Sequence, residues 1–348
     1  MLHFESDYLA GAHPKILENL NRANFELIPG YGIDPYSESA KEKIRLACGL
    51  SKEDAEIFFL VGGTQTNETV ISTILAPYEG VISAVTGHIN GHEAGAVEYN
   101  GHKVLTLPQH FGKIDLNELI AFLKRFDEDD NHTHMVYPGM VYISHPTEYG
   151  TLYSLNELKA IHEICKSYGI PLFVDGARLG YGLMSPETDV TLQDLAQNSD
   201  VFYIGGTKVG ALFGEAVVFT HHNAPKHFYT MTKQHGAMLA KGWITGLQFD
   251  TLFTDNLYFE ISAHAMKMAV RLKEMLIRYG FELYIDSPSN QQFPVLSDVF
   301  LKKLSEKVTV SFWEKPDANH TVVRLATSWA TTDADMDALE EVLKSLTK

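Results

Sequence analysis

The chain has 348 residues, of which 45% are hydrophobic and 21% are charged, as is typical of a globular protein with one large and one small domain. A net charge of −16 without a basic patch argues against nucleic acid as a partner. Two cysteines, Cys48 and Cys165, exclude a disulfide scaffold. Because no apolar window is long enough for a signal peptide or a membrane span, we expect a cytoplasmic protein without a membrane partner.

Helical and apolar patterns alternate along the first 250 residues. In chain order they predict the end of a helix at 42–49, a strand at 56–63, a helix at 64–75, strands at 80–85 and 103–108, a helix at 115–126, a strand at 140–146, a helix at 154–169, and strands at 171–175 and 200–206. This order predicts an α/β fold with an open, mainly parallel sheet and helices on both faces.

The pattern changes near residue 250. A long helix is predicted at 257–280, and short strands and a closing helix follow it. We therefore expect two domains, a large α/β domain over 1–250 and a smaller α+β domain over 251–348.

The stretch "PLFVDGARLGYG" (171–182) contains the first candidate site residue. Its apolar run ends at Asp175, as a buried parallel strand ends at a ligand site. A buried carboxylate needs a cationic partner. Arg178, three residues later, could be that partner, or the cation could belong to a ligand.

Two further segments are expected at the same edge of the sheet. "GGTQTN" (62–67) opens a helix, whose free N–H groups could hold an anion, although two glycines at such a turn are also ordinary turn chemistry. Lys208 in "YIGGTKVG" (203–210) could be a surface residue, or a desolvated amine that forms a Schiff base. A phosphate cradle, an amine and an aspartate together suit pyridoxal 5′-phosphate (PLP).

At these residues the chain resembles the low-specificity L-threonine aldolases, within the β-eliminating-lyase group of fold type I PLP enzymes. The resemblance runs in family order through "ESDYLAGAHP" (5–14), "GYGIDPYSESAKEKIRLACG" (30–49), "FLVGGTQTN" (59–67), "HINGHEAGA" (88–96), "DGARL" (175–179), "TKVG" (207–210) and "VVRLATS" (322–328). It implies a fold type I large domain. It also implies retro-aldol cleavage of L-threonine, L-allo-threonine or a related β-hydroxy-α-amino acid to glycine and an aldehyde.

The resemblance also implies PLP as cofactor and a role for each matching residue. Lys208 would form the Schiff base, Asp175 would pair with the pyridinium nitrogen, and His88 would stack on the ring. The phosphate and its surroundings would be held by Gly63, Thr64, Gln65 and Thr207. The substrate would be bound by Ser6, Arg178, Arg324 and Tyr31, of which Tyr31 would reach the site of a neighbouring subunit.

Two positions depart from the family pattern. Where many threonine aldolases read "THNG", this chain reads "PTEYGTLY" (146–153), so Glu148 takes the place of a histidine. Glu148 or His88 could act as the base that removes the substrate hydroxyl proton. Leu239 replaces a phosphate-contacting arginine, and Lys233 or Lys241 could substitute for it.

Other functions and partners follow from the same residues. A PLP-dependent β-eliminating lyase acting on another, possibly aromatic, amino acid is the alternative reaction, and a non-catalytic PLP-fold binding protein is a third. The resemblance implies a homodimer or homotetramer with sites at subunit interfaces. No metal site is expected, because "HINGH" (88–92) lacks an HExxH pattern and a third ligand.

Overall fold

Strands and helices alternate along most of the chain in a computed structural model, which describes residues 1–347. The strands are β1 Leu2–His3, β2 Glu56–Leu60, β3 Glu79–Ala84, β4 Val104–Leu107, β5 Tyr137–Ser144, β6 Leu172–Asp175, β7 Val201–Gly205, β8 Glu215–Phe219, β9 Glu282–Ile285, β10 Gln291–Ser297, β11 Val308–Thr309, β12 Ser311–Glu314 and β13 His320–Ala326. The helices are α1 Pro14–Ala23, α2 Pro35–Cys48, α3 Gly63–Ile74, α4 His88–Gly91, α5 Ala96–Tyr99, α6 Leu116–Asp127, α7 Leu155–Tyr168, α8 Leu179–Leu183, α9 Leu192–Gln197, α10 Phe228–Gln234, α11 Trp243–Leu252, α12 Leu257–Arg278, α13 Asp298–Leu304 and α14 Asp333–Leu346, with a short 3₁₀ helix at His132–His134. None of the helices within 1–347 is long and apolar enough to cross a membrane.

The large sheet has seven strands in the order β2-β8-β7-β6-β5-β3-β4. Strands β3 to β7 pair in parallel with their neighbours, whereas β8 runs antiparallel to both β7 and β2. The predicted α/β fold with a mainly parallel sheet is therefore confirmed. The predicted strand at 56–63 ends earlier, at Leu60, because Gly63 already begins α3.

Alternate residues of the central strands face two different cores, because successive side chains of a strand point to opposite faces. On one face Val174, Phe202 and Ile204 pack with α2, α7, α8, α11 and the first half of α12. On the other face Phe173 and Tyr203 pack with α3, α5 and α10. Helices on both faces explain why these strands read as continuous apolar runs in the sequence.

A second, antiparallel sheet has the order β12-β13-β10-β9 and a core of its own against α12, α13 and α14. Helix α12 contributes to both cores, with its first half packed on the large sheet and its second half on the small one. The amino-terminal strand β1 pairs in parallel with β11, so the start of the chain lies beside this second part. We propose the domain division at 1–250 and 251–348 on the basis of these two sheets.

Three parallel strands end at the same edge of the large sheet. Ser144 at the end of β5 pairs in register with Asp175 at the end of β6, and Lys208 follows β7 by three residues. The polar residues predicted to meet beyond the strand ends are thus brought close together by strand register.

Candidate active site

A cavity of about 710 Å³ lies beyond this edge of the large sheet and reaches the small sheet. Five of the predicted site residues line it, namely Lys208, His88, Glu148, Arg178 and Arg324. A smaller recess of about 50 Å³ shares several of these residues and adds Gly63 and Asp175. The structure therefore brings predicted site residues from six distant segments of the chain around one site.

Asp175 lies at the floor of this site and is 4% exposed. Its Oδ1 accepts hydrogen bonds from the Tyr203 hydroxyl (2.5 Å) and the Ala177 amide (2.9 Å). Its Oδ2 accepts from the Tyr142 hydroxyl (2.6 Å) and from Asn67 Nδ2 (3.0 Å). Burial alone would raise the pKa of Asp175, but the His88 charge and these donors outweigh burial and lower it. The carboxylate is therefore held in its ionised form.

Arg178 does not pair with Asp175, so the local ion pair considered from the sequence is wrong. The Arg178 guanidinium instead binds the Asp7 carboxylate in a bidentate way, with Nε 2.6 Å from Oδ2 and Nη2 3.0 Å from Oδ1. Asn290 Nδ2 donates to the same carboxylate at 2.9 Å. Burial alone would raise the pKa of Asp7, but the Arg178 charge and the hydrogen bonds outweigh burial and lower the pKa far below its usual range. Most of the Arg178 charge is thus neutralised within the chain.

Arg324 has a different environment, although it lines the same cavity. It donates to three neutral acceptors, Gln291 Oε1 (3.2 Å), the Glu5 carbonyl (3.1 Å) and Ser311 Oγ (3.4 Å), and its buried Nε has no partner. No carboxylate within residues 1–347 forms an ion pair with Arg324. Burial, together with the nearby Arg178 charge, lowers its pKa to about 10. Arg324 is therefore a desolvated cation that faces the cavity without an anionic partner.

The Lys208 side chain also forms no ion pair within the described part of the chain. Burial and the Arg178 charge lower the pKa of Lys208 to about 8, against the attraction of Asp7, Asp175 and Glu215. Glu215 lies behind it on β8 and accepts from the Thr207 hydroxyl (2.8 Å) and the Gly206 amide (3.1 Å). Burial raises the pKa of Glu215 to about 8. An amine with a lowered pKa is suited to nucleophilic attack on a carbonyl carbon.

His88 is connected to Asp175 through a chain of buried polar groups. Its Nδ1 lies 2.7 Å from Glu93 Oε1, which also accepts from Asn67 Nδ2 (2.8 Å), and Asn67 in turn bonds Asp175. Burial would lower the pKa of His88, but the hydrogen bond to Glu93 and the charges of Asp175 and Glu93 raise it. His92 also lines the cavity, 5.7 Å from His88 between ring centroids, but it has no such carboxylate partner in the described residues.

Glu148 is half-buried beside His88. Its Oε1 accepts from the His88 amide (3.0 Å) and the Ser144 hydroxyl (2.6 Å), while Oε2 has no donor among residues 1–347. Burial raises the pKa of Glu148, and the negative charge of Asp175 adds to this effect against the hydrogen bonds that lower it. A carboxylate with a raised pKa and one free oxygen can accept a proton from a ligand hydroxyl.

Only some of the residues predicted to hold the phosphate have free hydrogen-bonding groups in the structure. Helix α3 begins at Gly63 without a side-chain cap, and a Cβ on Gly63 would come within 3.2 Å of the Tyr203 hydroxyl. Thr64 is exposed, whereas the Gln65 side chain bonds the Val61 amide (3.1 Å) and the His235 carbonyl (2.9 Å). The Thr207 hydroxyl is bound to Glu215. The free amides of α3 and Thr64 are therefore the groups best placed for an anion.

Two predicted substrate residues lie outside the cavity lined by Lys208. Ser6 lines a separate cavity of about 210 Å³, where its buried hydroxyl has no partner. Tyr31 lines a third one of about 180 Å³, together with Leu239, and Lys233 Nζ lies 5.1 Å from the Tyr31 ring centroid. Lys241 is exposed and lines none of these cavities.

Several site residues were not identified in the sequence. They are Asp7, Asn67, Glu93, Tyr142, Tyr203 and Glu215. Tyr142 and Tyr203 could have been found from period-2 alternation, because each lies on a strand adjacent to β6 and shares a face with its neighbours. Asp7 and Glu215 could not, since their partners are set by tertiary packing.

The fold and site together define a fold type I enzyme. Structures with the same fold include the histidinol-phosphate aminotransferase from Clostridium acetobutylicum, with a TM-score of 0.73 at 16% identity over 100% of this chain and 99% of that one. The chain belongs to the Beta-eliminating lyase family, whose family model matches residues 3–286, and it is thus an enzyme of the lyase class.

Named relatives cover nearly the full length of the chain. A low specificity L-threonine aldolase from Pseudomonas sp. (strain NCIMB 10558) is 31% identical over 310 residues, 87% of each chain. One from Pseudomonas aeruginosa is 28% identical over 353 residues, 99% of this chain and 96% of that one. A solved structure of the Leishmania major threonine aldolase matches all of both chains with a TM-score of 0.96 and 41% identity.

Proposed function

We propose that the protein cleaves the Cα–Cβ bond of L-threonine, L-allo-threonine or a related β-hydroxy-α-amino acid, giving glycine and an aldehyde, with PLP as cofactor. One observation carries the proposal. Lys208 and Arg324, two half-buried cations without a carboxylate partner, face one cavity together with the proton acceptor Glu148. The Lys208 amine matches a cofactor with a reactive carbonyl group, the Arg324 charge matches the α-carboxylate of the substrate, and Glu148 matches its β-hydroxyl.

The residues present fit PLP on three counts. Lys208 offers an amine of lowered pKa, Asp175 is kept ionised by four donors, and α3 presents uncapped amides. Lys208 would therefore hold the carbonyl carbon, Asp175 the ring nitrogen, and Gly63 with Thr64 the phosphate. When bound, PLP supplies an electron sink for the electron pair released at the substrate Cα.

The two arginines orient the substrate in this proposal. Arg324 binds the α-carboxylate, because its charge is not neutralised and a charge-assisted hydrogen bond is among the strongest available. Arg178 contributes directed N–H donors, while Asp7 holds its guanidinium plane fixed. A fixed carboxylate limits rotation about Cα, so that the bond to be cleaved takes one orientation.

Glu148 accepts the proton of the substrate β-hydroxyl through Oε2 in this proposal. The Ser144 hydroxyl and the His88 amide hold its other oxygen, so the carboxylate is positioned before the substrate binds. His88, which is hydrogen-bonded to Glu93, would stack on the PLP ring, and its positive charge helps to keep Asp175 ionised. The raised pKa of Glu148 brings its basicity closer to that of a useful proton acceptor.

Aldol cleavage is favoured over the alternatives that the sequence left open. Three low specificity L-threonine aldolases and the structure of the Leishmania major threonine aldolase match this chain, which favours Cα–Cβ cleavage over β-elimination. A non-catalytic binding protein would not need a Lys208 amine of lowered pKa. We further propose a homodimer or homotetramer, since Tyr31 is half-exposed beside an apolar cavity and can reach a neighbouring subunit.

The test is a product analysis with the PLP-loaded enzyme. L-threonine, L-allo-threonine and phenylserine are supplied, and glycine, aldehyde, pyruvate and ammonia are measured. We expect equal amounts of glycine and aldehyde, and a loss of more than about 10⁴-fold in rate for Lys208→Ala. Pyruvate with ammonia instead would favour the eliminating reaction, and no product from any of the three substrates would refute the proposal.

A further inference from the structure

Three potential metal ligands meet at the opposite edge of the large sheet from the cavity. They are His162 on α7, Asp200 immediately before β7, and His221 two residues after β8. One ligand atom from each lies within 4.8 Å of the other two. The sequence expectation of no metal site considered only the histidines of "HINGH" and did not include this cluster.

The topology places these residues together reliably. Strands β7 and β8 are antiparallel, with Val201 opposite Phe219, so the start of β7 adjoins the end of β8. The Asp200 carbonyl accepts from the Thr220 amide (3.1 Å) and from Asn223 Nδ2 (3.0 Å). These bonds fasten the segment that carries His221 directly to Asp200, so two ligands share one rigid backbone frame.

His162 forms the buried side of the cluster, and its ring nitrogen Nε2 faces the Asp200 carboxylate. His162 is 1% exposed, and its Nε2 makes no hydrogen bond although it lies 3.4 Å from Asp200 Oδ2. The Leu172 amide donates to the same Oδ2 at 2.8 Å and fixes the carboxylate. Apart from this long contact with the Asp200 carboxylate, the ring nitrogen has no partner among residues 1–347, and a cation bound between the two groups would satisfy both. The fixed carboxylate resembles the outer-shell support usual at metal sites.

From this geometry we propose that His162, Asp200 and His221 bind a divalent first-row transition cation such as Zn²⁺. Two imidazoles and one carboxylate suit Zn²⁺, Co²⁺ or Ni²⁺, and a water can complete four-coordination. Bond lengths of about 2.0–2.2 Å require ligand atoms about 3.4 Å apart. His162 and Asp200 already have this spacing, and the exposed His221 closes the remaining distance by side-chain rotation.

The ion links α7 to the segment after β8 and stabilises the fold without entering the reaction. The whole of β7 separates Asp200 from Lys208, a span of about 20 Å for its five residues and the adjoining turn. Metal binding is thus expected to raise the melting temperature and to leave aldol cleavage unchanged. This separates the test from that of the proposed function, because binding is measured without any substrate.

The experiment titrates PLP-loaded, chelator-treated protein with Zn²⁺ in a calorimeter and with Co²⁺ in a spectrophotometer. We expect one ion per chain and visible Co²⁺ absorption bands of a low-coordinate site with nitrogen ligands. His221→Ala removes an exposed ligand, and Asp200→Asn keeps the shape and an acceptor for the Leu172 amide. Each is expected to weaken binding by more than about tenfold.

His227→Ala is the matched control, since His227 is an exposed histidine in the same segment and not part of the cluster. It is expected to keep the affinity, the Co²⁺ bands and the Zn²⁺-dependent rise in melting temperature. The proposal is overturned if no stoichiometric binding occurs, if His221→Ala binds as tightly as the parent, or if His227→Ala loses binding equally.

Discussion

The two sides of the active-site cavity differ in how completely their polar groups are satisfied. On the side of the large sheet, Asp175 accepts four hydrogen bonds, and Arg178 is matched by the Asp7 carboxylate. On the side of the small sheet, Arg324 has only neutral partners and an orphaned Nε. Lys208 and the free oxygen of Glu148 lie between the two.

We infer from this difference that the satisfied groups maintain the geometry of the free site, whereas the unsatisfied groups bind the ligand. A buried polar group without a partner destabilises the free protein by about 1–3 kcal/mol. Such a group is retained where a ligand supplies the missing partner. The satisfied residues therefore fix the charge and geometry of the site next to the large sheet. The unsatisfied residues indicate where the charged groups of the ligand bind.

After the loss already expected for Lys208→Ala, the largest effect is expected from Glu148→Gln, which removes the proton acceptor between the two sides. Glutamine keeps the size and one acceptor oxygen for Ser144 and the His88 amide, but it cannot take a proton. We expect kcat for aldol cleavage to fall by about 10²–10³-fold, the range of general-base catalysis. Steady-state kinetics on phenylserine and L-threonine measure this.

The pH profile tests the same residue independently. Because burial raises the pKa of Glu148, activity should increase with pH along a limb that lies above the ordinary glutamate value of 4.5. In Glu148→Gln this limb should disappear. If the limb persists with its position unchanged, the base is another group, and His88 is the next candidate.

The next effect concerns the satisfied side. Asp7→Asn breaks the buried ion pair with Arg178 and should lower the free energy of unfolding at neutral pH by about 3 kcal/mol. The pKa of Asp7 is lowered in the folded state, so its stabilising contribution is present above pH 3.8 and is lost as the pH falls. The difference between parent and variant, measured by urea unfolding, should therefore shrink below about pH 4. Asp130→Asn, at an exposed position, should show neither effect.

The general fold was predictable from the sequence because burial on both faces leaves a strong local signal. "PLFVD" and "DVFYIGG" read as apolar runs and became β6 and β7. Strand β8 was missed, although "EAVVF" is equally buried, because its antiparallel return follows a short glycine-containing turn rather than a helix. The resemblance to a known family supplied the fold type and the motif residues.

The site was predictable only where a residue ends a strand or lies in a motif. Asp175 and Lys208 meet this condition, and the structure brings both to one recess. The partner of Arg178 did not follow from spacing: Asp175 is three residues away, yet the partner Asp7 is 171 residues away. After β6 the Ala177 amide turns back to Asp175, and the Arg178 side chain points toward the small sheet instead. Long-range charge pairing of this kind has no local sequence signal.

A smaller effect is expected on the unsatisfied side. Arg324→Leu removes the unpaired cation and should reduce kcat/KM by about 10- to 100-fold, the contribution of one charged hydrogen bond. Leu removes a desolvated charge but leaves three neutral acceptors without their donor, so the two effects oppose each other and the melting temperature should change little. Arg324→Lys should recover part of the activity. A large loss of stability in Arg324→Leu would mean that Arg324 is structural, and the contrast between the two sides would fail.

The smallest effect is expected at Glu215, behind Lys208. Burial raises the pKa of Glu215 to about 8, so its carboxyl group is mostly protonated at neutral pH. Because glutamine is also neutral, Glu215→Gln should change kcat/KM by less than about fivefold, which corresponds to about 1 kcal/mol. The folded parent keeps a proton that the unfolded chain loses above pH 4.5, so its free energy of unfolding should decrease between pH 4.5 and about 8. Glu215→Gln should lack this decrease, and Glu306→Gln, at an exposed position, should retain it. The free energy of unfolding of the three proteins is measured with urea at several pH values. If it changes with pH by the same amount in all three, Glu215 is ionised in the folded protein, as Asp175 is.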